Sequence, residues 1–193
     1  NGPHKAHRIA LTSEPGATRI TGHTTDGLSG LWPHLTTPPP TQTITAAELY
    51  SGIGGHHHAG KQLDWRFSLA IDTSETANQI YRRNHHLTPH NTPVHSISAL
   101  RLLLETRPDI LTAGFRCQPW SHAGMQQGIR DTRGQDALHI AELASIVNPA
   151  GLQLECVKGF SEAEGGRIAE HLLRLFRTIG YYSSATNLDL ATI

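Results

Sequence analysis

From Ile44 onward, short unbroken apolar runs alternate with stretches whose apolar residues recur every three or four positions. The first spacing suits strands buried on both faces, and the second suits helices with one buried face. Strands are predicted at Thr43–Leu49, Phe67–Ile71, Val94–Ile97, Asp109–Gly114 and Gly151–Cys156. A helix is predicted to start in residues 56–63, a second at Thr73-Ser74-Glu75 with Ala77, Ile80 and Tyr81 inward, and a brief third around Leu100, Leu103 and Leu104. Two more are expected near 136–147 and 162–178, the latter from Ile168, Leu172, Leu175, Phe176 and Ile179. Hydroxyls ahead of Glu75 suit a helix start, because they accept an orphan backbone N–H. Regular strand–helix alternation implies parallel strands joined by right-handed crossovers, that is, an α/β fold with a doubly wound, mostly parallel sheet.

Residues 1–43 break this pattern. They are rich in Thr and Pro and end in Thr36-Thr37-Pro38-Pro39-Pro40-Thr41, which favours an extended, unpaired backbone. The segment reads as an arm or linker, with Arg8-Ile9-Ala10-Leu11 as at most one edge strand. Residues 44–193 form the folded part, with a polar loop from Arg116 to Gly134.

Charge changes the picture little, since 16 basic residues balance 16 acidic ones. A clustered basic surface for duplex nucleic acid is therefore not evident, although Arg outnumbers Lys and favours forked contacts to phosphate. The 14 histidines add positive charge only in mild acid. Two cysteines argue against a disulfide scaffold and suit a reducing cytoplasm. No apolar run approaches the roughly 18 residues of a membrane span, and no leader-like segment opens the chain.

Three places carry candidate chemistry. Gly52-Ile53-Gly54-Gly55 follows the strand ending at Leu49, where glycines let the backbone turn sharply and approach a ligand. Asp72 ends the next strand, where an acid can accept bonds from ribose hydroxyls. A plain strand–helix turn accounts for these two about as well, and the dinucleotide spacing Gly-x-Gly-x-x-Gly is absent. Cys117 stands just past the strand ending at Gly114, followed by Gln118-Pro119-Trp120-Ser121, and Glu155 stands in the strand from Gly151. A lone cysteine is more often buried and inert, and an isolated Glu more often a solvated strand end. His56-His57-His58 does not read as a metal site, because consecutive helical positions point in different directions and no further ligand is near. A partly solvated first turn is the expected account, and no metal is expected.

Gly114-Phe115-Arg116-Cys117-Gln118-Pro119-Trp120-Ser121 resembles the Gly-Phe-Pro-Cys-Gln-Pro-Phe-Ser signature of the cytosine carbon-5 DNA methyltransferases, with Arg116 and Trp120 as departures. Glu48-Leu49-Tyr50-Ser51-Gly52-Ile53-Gly54-Gly55 is similar to that family's first motif, and Ala70 to Asn84 to its second. The resemblance implies a Rossmann-like fold and S-adenosylmethionine as cofactor. It implies contacts through Tyr50 on the adenine, Gly52 and Gly54 beneath the methionine part, Asp72 on the ribose, Thr73 beside the adenine, and Ile53, Ser96 and Ile97 as further cofactor contacts. Ser96 stands where the family usually has Asp. Cys117 becomes the nucleophile and Glu155 its assisting acid, in Glu155-Cys156-Val157 where the family has Glu-Asn-Val. Gln118, Ser121, Arg130 and Arg133 fall on the segment that faces DNA and a flipped cytosine.

The resemblance covers roughly residues 46–190, and the family's later Gln-Arg-Arg, target-recognition and last motifs are not reached. The expectation is thus a partial, cytoplasmic restriction-modification-type methyltransferase domain, with a separate C-terminal half as a possible partner. The alternatives are a tRNA cytosine methyltransferase and a non-catalytic cofactor-binding remnant. On this alignment Cys117 and Cys156 end neighbouring strands, with free thiols as the default.

Overall fold

The computed structural model describes residues 6–13 (backbone only), 43–115 and 135–187. One six-stranded sheet organises them: β1 (Ala6–Ser13), β2 (Thr45–Leu49), β3 (Arg66–Ile71), β4 (Ile110–Gly114), β5 (Gly151–Val157) and β6 (Tyr181–Asn187), in the order β3-β2-β4-β5-β1-β6. Strand β2 pairs in parallel with β3 and β4, and β4 in parallel with β5. Helices α1 (Gly55–Lys61), α2 (Glu75–His85), α3 (Ile97–Thr106), α4 (Asp136–Val147), α5 (Lys158–Glu162) and α6 (Arg167–Thr178) occupy the connections.

The central strands owe their place to composition. In β2 residues 46–49 are all buried, as are residues 110–113 of β4, the pattern of strands covered on both faces. The core gathers Leu49, Leu69, Ile71, Leu103, Leu111, Ile140, Leu154, Leu172 and Phe176, each less than 3% exposed. Tyr181 closes one end of it. Its ring lies edge-on to Phe176, and its hydroxyl donates to the Pro149 carbonyl at 2.8 Å.

The parallel sheet, the strands at 45–49, 66–71, 110–114 and 151–157, and the helix at 136–147 match the sequence reading to within two residues at each end, and the helix at 75–85 starts where its capping residues put it. Three expectations need correction. Val94–Ile97 is not a strand: Ser96 caps α3 by accepting from the Ala99 N–H at 3.1 Å, and the sheet edge receives only an isolated Ile71–His90 bridge. Pro89 and Pro93 flank that bridge and bring no N–H for a ladder. The helix expected over 162–178 is broken into α5, a 3-10 turn at Ala163–Gly166, and α6. Gly165 and Gly166 have φ of +67° and +87°, which breaks a continuous α-helix at this point. Finally, residues 6–13 do not lie at an edge. Strand β1 runs antiparallel between β5 and β6, filling the gap that the α5–α6 crossover leaves between two parallel strands. Strand β6 had no apolar signal in its Tyr-Tyr-Ser-Ser-Ala-Thr-Asn sequence.

Among the described residues no helix is long and apolar enough to cross a membrane. The central strands set the stability of the fold. Leu111→Ala, at a wholly buried position in β4, is expected to lower unfolding stability by about 2–5 kcal/mol, measured as a reduced urea midpoint at unchanged denaturant slope.

Candidate functional site

The chain leaves β2 toward β3 on one side and returns to β4 on the other, so the connections that follow the paired carboxyl ends of β2 and β4 part there. Open α/β sheets place ligands at such a crevice. Around it stand the glycine turn after β2, Asp72 after β3, Gly114 at the end of β4, and Glu155 opposite it in β5. Helix α3 runs back to the amino end of β4, which puts its first residue, Ile97, at the same edge.

The turn is strained in a way that marks it. Tyr50 has φ of +50°, uncommon for an aromatic residue, and Gly52 and Gly54 follow at +52° and +93°. At Gly54 the reason is doubly strict, because a Cβ would also fall on the His85 imidazole. Asp72 ties this turn to the end of β3. Its Oδ2 accepts from the Gly52 N–H and its Oδ1 from the Ser74 N–H, both at 2.8 Å. A carboxylate has about four lone-pair directions, so two remain for a ligand.

The surroundings fit an adenosyl group on three counts. Ile53 and Ile97 expose 58% and 77% of their surface, apolar area that a flat aromatic ligand would cover. Ser51 Oγ is buried with no hydrogen-bond partner among the described residues, a situation buried polar atoms rarely tolerate. Asp72 offers free acceptor directions. Ser96, by contrast, already caps α3 and shares a 3.0 Å hydrogen bond with Thr92 Oγ1. Thr73 is exposed beside the turn.

Beneath the turn lies a buried polar chain that sequence reading missed. Glu48, 1% exposed, accepts from the His56 backbone N–H and from the Tyr81 hydroxyl, each at 3.0 Å. Because that hydroxyl donates to Glu48, it accepts from His57 Nδ1 at 2.8 Å, which fixes the neutral tautomer of His57. The His57 ring is stacked between His85 and Phe67, with centroids 4.3 and 4.5 Å away. Burial, then the nearby His85 and Lys61 charges, push the His57 pKa down to about 4. The same two influences, burial and Lys61, lower His85. Burial and the Glu48 charge push Tyr81 up.

The three consecutive histidines do point in different directions, but the expected partly solvated turn is corrected. His56 and His57 are buried, and only His58 is exposed. His56 faces two carboxylates, with Nδ1 3.4 Å from Glu48 Oε1 and Nε2 3.7 Å from Glu155 Oε2. The signal available in the sequence was Glu48 itself, an acid within an apolar strand that needs buried donors.

Parallel pairing sets Gly114 against Glu155, so the sequence-predicted neighbourhood of β4 and β5 exists. Glu155 is 43% exposed. Cys117, Gln118, Ser121, Arg130 and Arg133 lie outside the described residues, as does any pairing of Cys117 with the buried Cys156.

The family described as C-5 cytosine-specific DNA methylase matches residues 44–192. The type II methyltransferase M.HpaII of Haemophilus parainfluenzae is 30% identical over 146 residues, covering 75% of this chain and 40% of that protein. The tRNA (cytosine(38)-C(5))-methyltransferase of Schizosaccharomyces pombe is 31% identical over 146 residues, covering 73% and 43%. Among solved structures, the S. pombe Dnmt2 methyltransferase superposes with a TM-score of 0.54 at 27% identity, covering 69% of this chain and 40% of that one. The chain thus spans less than half the length of these relatives.

The depressed His57 has a consequence for stability. An unfolded histidine titrates near 6.5, whereas folded His57 stays neutral down to about pH 4. Between those values the unfolded chain binds a proton that the folded chain refuses, so stability falls as pH falls through that window and levels below it. The part due to His57 is on the order of 3 kcal/mol, with His85 acting in the same direction. Urea midpoints from pH 7 to 4 should show this loss, and His57→Phe should flatten it. An equally steep profile in the variant would assign the loss elsewhere.

Proposed function

The chain belongs to the C-5 cytosine-specific DNA methylase family, and from that premise we propose that it binds S-adenosylmethionine and carries the nucleophile and acid for methylating carbon-5 of a flipped cytosine in DNA. Support for the cofactor comes from the turn at Gly52 and Gly54 after β2 and from Asp72 after β3, with Tyr50, Ile53, Thr73, Ser96 and Ile97 proposed as the further contacts. Asp72 has acceptor directions left for ribose hydroxyls, and Ile53 and Ile97 offer exposed apolar area for the adenine. When bound, the cofactor supplies an electrophilic methyl group.

One observation carries the chemical half of the reading: the register that sets Gly114 opposite Glu155. Cys117 follows Gly114 by only three residues in sequence, which supports assigning the thiol and this acid to one site. Carbon-5 of cytosine is too weak a nucleophile unaided. Addition of the Cys117 thiolate to carbon-6 forms an S–C bond and makes carbon-5 enamine-like, while Glu155 bonds N3 and the exocyclic amine to stabilise the adduct. Loss of the carbon-5 proton and elimination of the thiolate restore the ring after substitution. A base within a duplex cannot reach such a pocket, so it must be flipped out. Gln118, Ser121, Arg130 and Arg133 are the residues proposed to face the strand.

The second reading is the same chemistry on a tRNA cytosine, favoured by the 31% identity to the S. pombe tRNA enzyme. A non-catalytic cofactor-binding module is the third. A separate C-terminal half is the proposed partner for target recognition.

Calorimetry should detect S-adenosylmethionine binding to the chain, and no heat at about 1 mM cofactor would remove the cofactor reading. Loss of a charged hydrogen bond costs about 1.5–3 kcal/mol, so Asp72→Ala should weaken binding by about 10- to 150-fold.

The nucleophile is tested by trapping. Cytosine carrying fluorine at carbon-5 cannot lose a proton there, so a DNA strand containing it should remain covalently attached. Supplying the proposed C-terminal partner in trans is the fair condition. Trapping that persists in Cys117→Ser would overturn the thiol assignment. Trapping only on an RNA strand would favour the tRNA reading, and cofactor binding without any trapping would favour the non-catalytic module.

A further inference from the structure

His56 occupies a position that neither the glycine turn nor the thiol segment explains. It begins the first turn of α1 and is only 9% exposed, yet its ring touches the ends of three adjacent strands. From β2, Glu48 Oε1 lies 3.4 Å from Nδ1, and from β5, Glu155 Oε2 lies 3.7 Å from Nε2. From β4, Gly114 passes so near that a Cβ on it would sit 3.5 Å from the ring's Cε1.

The two acids flanking the ring are not equivalent. Glu48 is held, since it is almost wholly buried and accepts from the Tyr81 hydroxyl and the His56 backbone. Glu155 is 43% exposed and lies 3.7 Å from His56, while the β1–β5 register sets the backbone of Arg8 opposite it. His56 Nε2 itself is buried and has no hydrogen-bond partner within ordinary reach among the described residues. A small rotation of the exposed Glu155 side chain would close the 3.7 Å gap and satisfy both groups.

We propose that His56 is a positioning residue for Glu155, linking that carboxylate through the imidazole to the immobile Glu48 and so fixing where it points over the end of β4. The inference rests on the reading of Glu155 as the acid that holds cytosine, and it adds the element that restrains it. An unrestrained glutamate at a strand end samples many rotamers, and ordering it costs conformational entropy. A partner that orders it beforehand removes that cost from the reaction. Tyr81 and His57 then act one step further back, because they hold Glu48. The ring is suited to the span because its two nitrogens lie on different sides, Nδ1 turned to Glu48 and Nε2 to Glu155. The other titratable groups nearby do not compete for it. His57 is turned to Tyr81, His58 is exposed, and His85 lies against His57 beneath Gly54.

The test is magnetic resonance on the full chain with labelled histidine ring nitrogens and labelled glutamate carboxyl carbons. Glu155→Gln, at a half-exposed position, should shift the His56 Nε2 signal clearly while leaving Nδ1 and the other histidines nearly unmoved. Conversely, His56→Leu should displace the Glu155 carboxyl signal, and His56→Gln, which keeps an N–H donor, should return it partway. A His56 that merely packs would change thermal stability in His56→Leu but give no such recovery in His56→Gln. An unmoved Nε2 signal in Glu155→Gln, or a Glu155 carboxyl signal unchanged in His56→Leu, would overturn the proposal. Calorimetry with S-adenosylmethionine on the unaltered chain judges the functional reading separately, since neither resonance measurement depends on cofactor or turnover.

Discussion

A carboxylate buried in the middle of a sheet has to find donors, and Glu48 finds them in ways that shape everything near it. An acid without such partners would cost several kcal/mol. Two donors reach it, the backbone N–H that begins α1 and the hydroxyl of Tyr81 on α2. The first of these anchors the start of α1 under the glycine turn, and the second draws α2 against the same strand. Tyr81 must then be satisfied in turn, which buries His57 as a neutral ring and stacks it on His85 and Phe67. His85 fills the space under Gly54 so fully that no side chain fits there. The strained turn above is therefore a roof over a packed polar chain.

A second carboxylate holds the same turn from outside. Asp72 accepts from the Gly52 N–H after β2 and from the Ser74 N–H before α2, which ties the glycine turn to the end of β3. Restraint of this kind lowers the cost of ordering a site on binding. On the far side of the crevice, parallel pairing brings β4 and β5 together and puts Glu155 beside the last residue of β4. His56 lies between the two carboxylates Glu48 and Glu155, and so links the end of β2 to the end of β5.

Membership in the C-5 cytosine-specific DNA methylase family accounts for this arrangement. The chain covers less than half of the relatives' length, and the stretch it shares with a DNA enzyme it shares about equally with a tRNA enzyme.

Much of the fold was legible from residues alone. Apolar runs of five to seven residues and helical spacing are local properties, so β2 to β5 and helices α2 and α4 appear where the pattern puts them. The turn at Gly52–Gly54 and the acid at Asp72 were legible because turn chemistry is also local. What failed were features decided by competition between local and distant partners. Val94–Ile97 looked apolar enough for a strand, but flanking prolines and the capping hydroxyl of Ser96 gave the backbone a better arrangement. Strands β1 and β6, with little apolar signal, exist because the sheet offers them unpaired backbone to bond. The histidines show the division most plainly. From sequence His56 and His57 were polar residues at a helix start, for nothing local says that Glu48, Tyr81 and Glu155 surround them. Those contacts join residues up to 99 positions apart, and only the tertiary structure could decide them, because a side chain's hydrogen-bond partners are set by what the fold places opposite it.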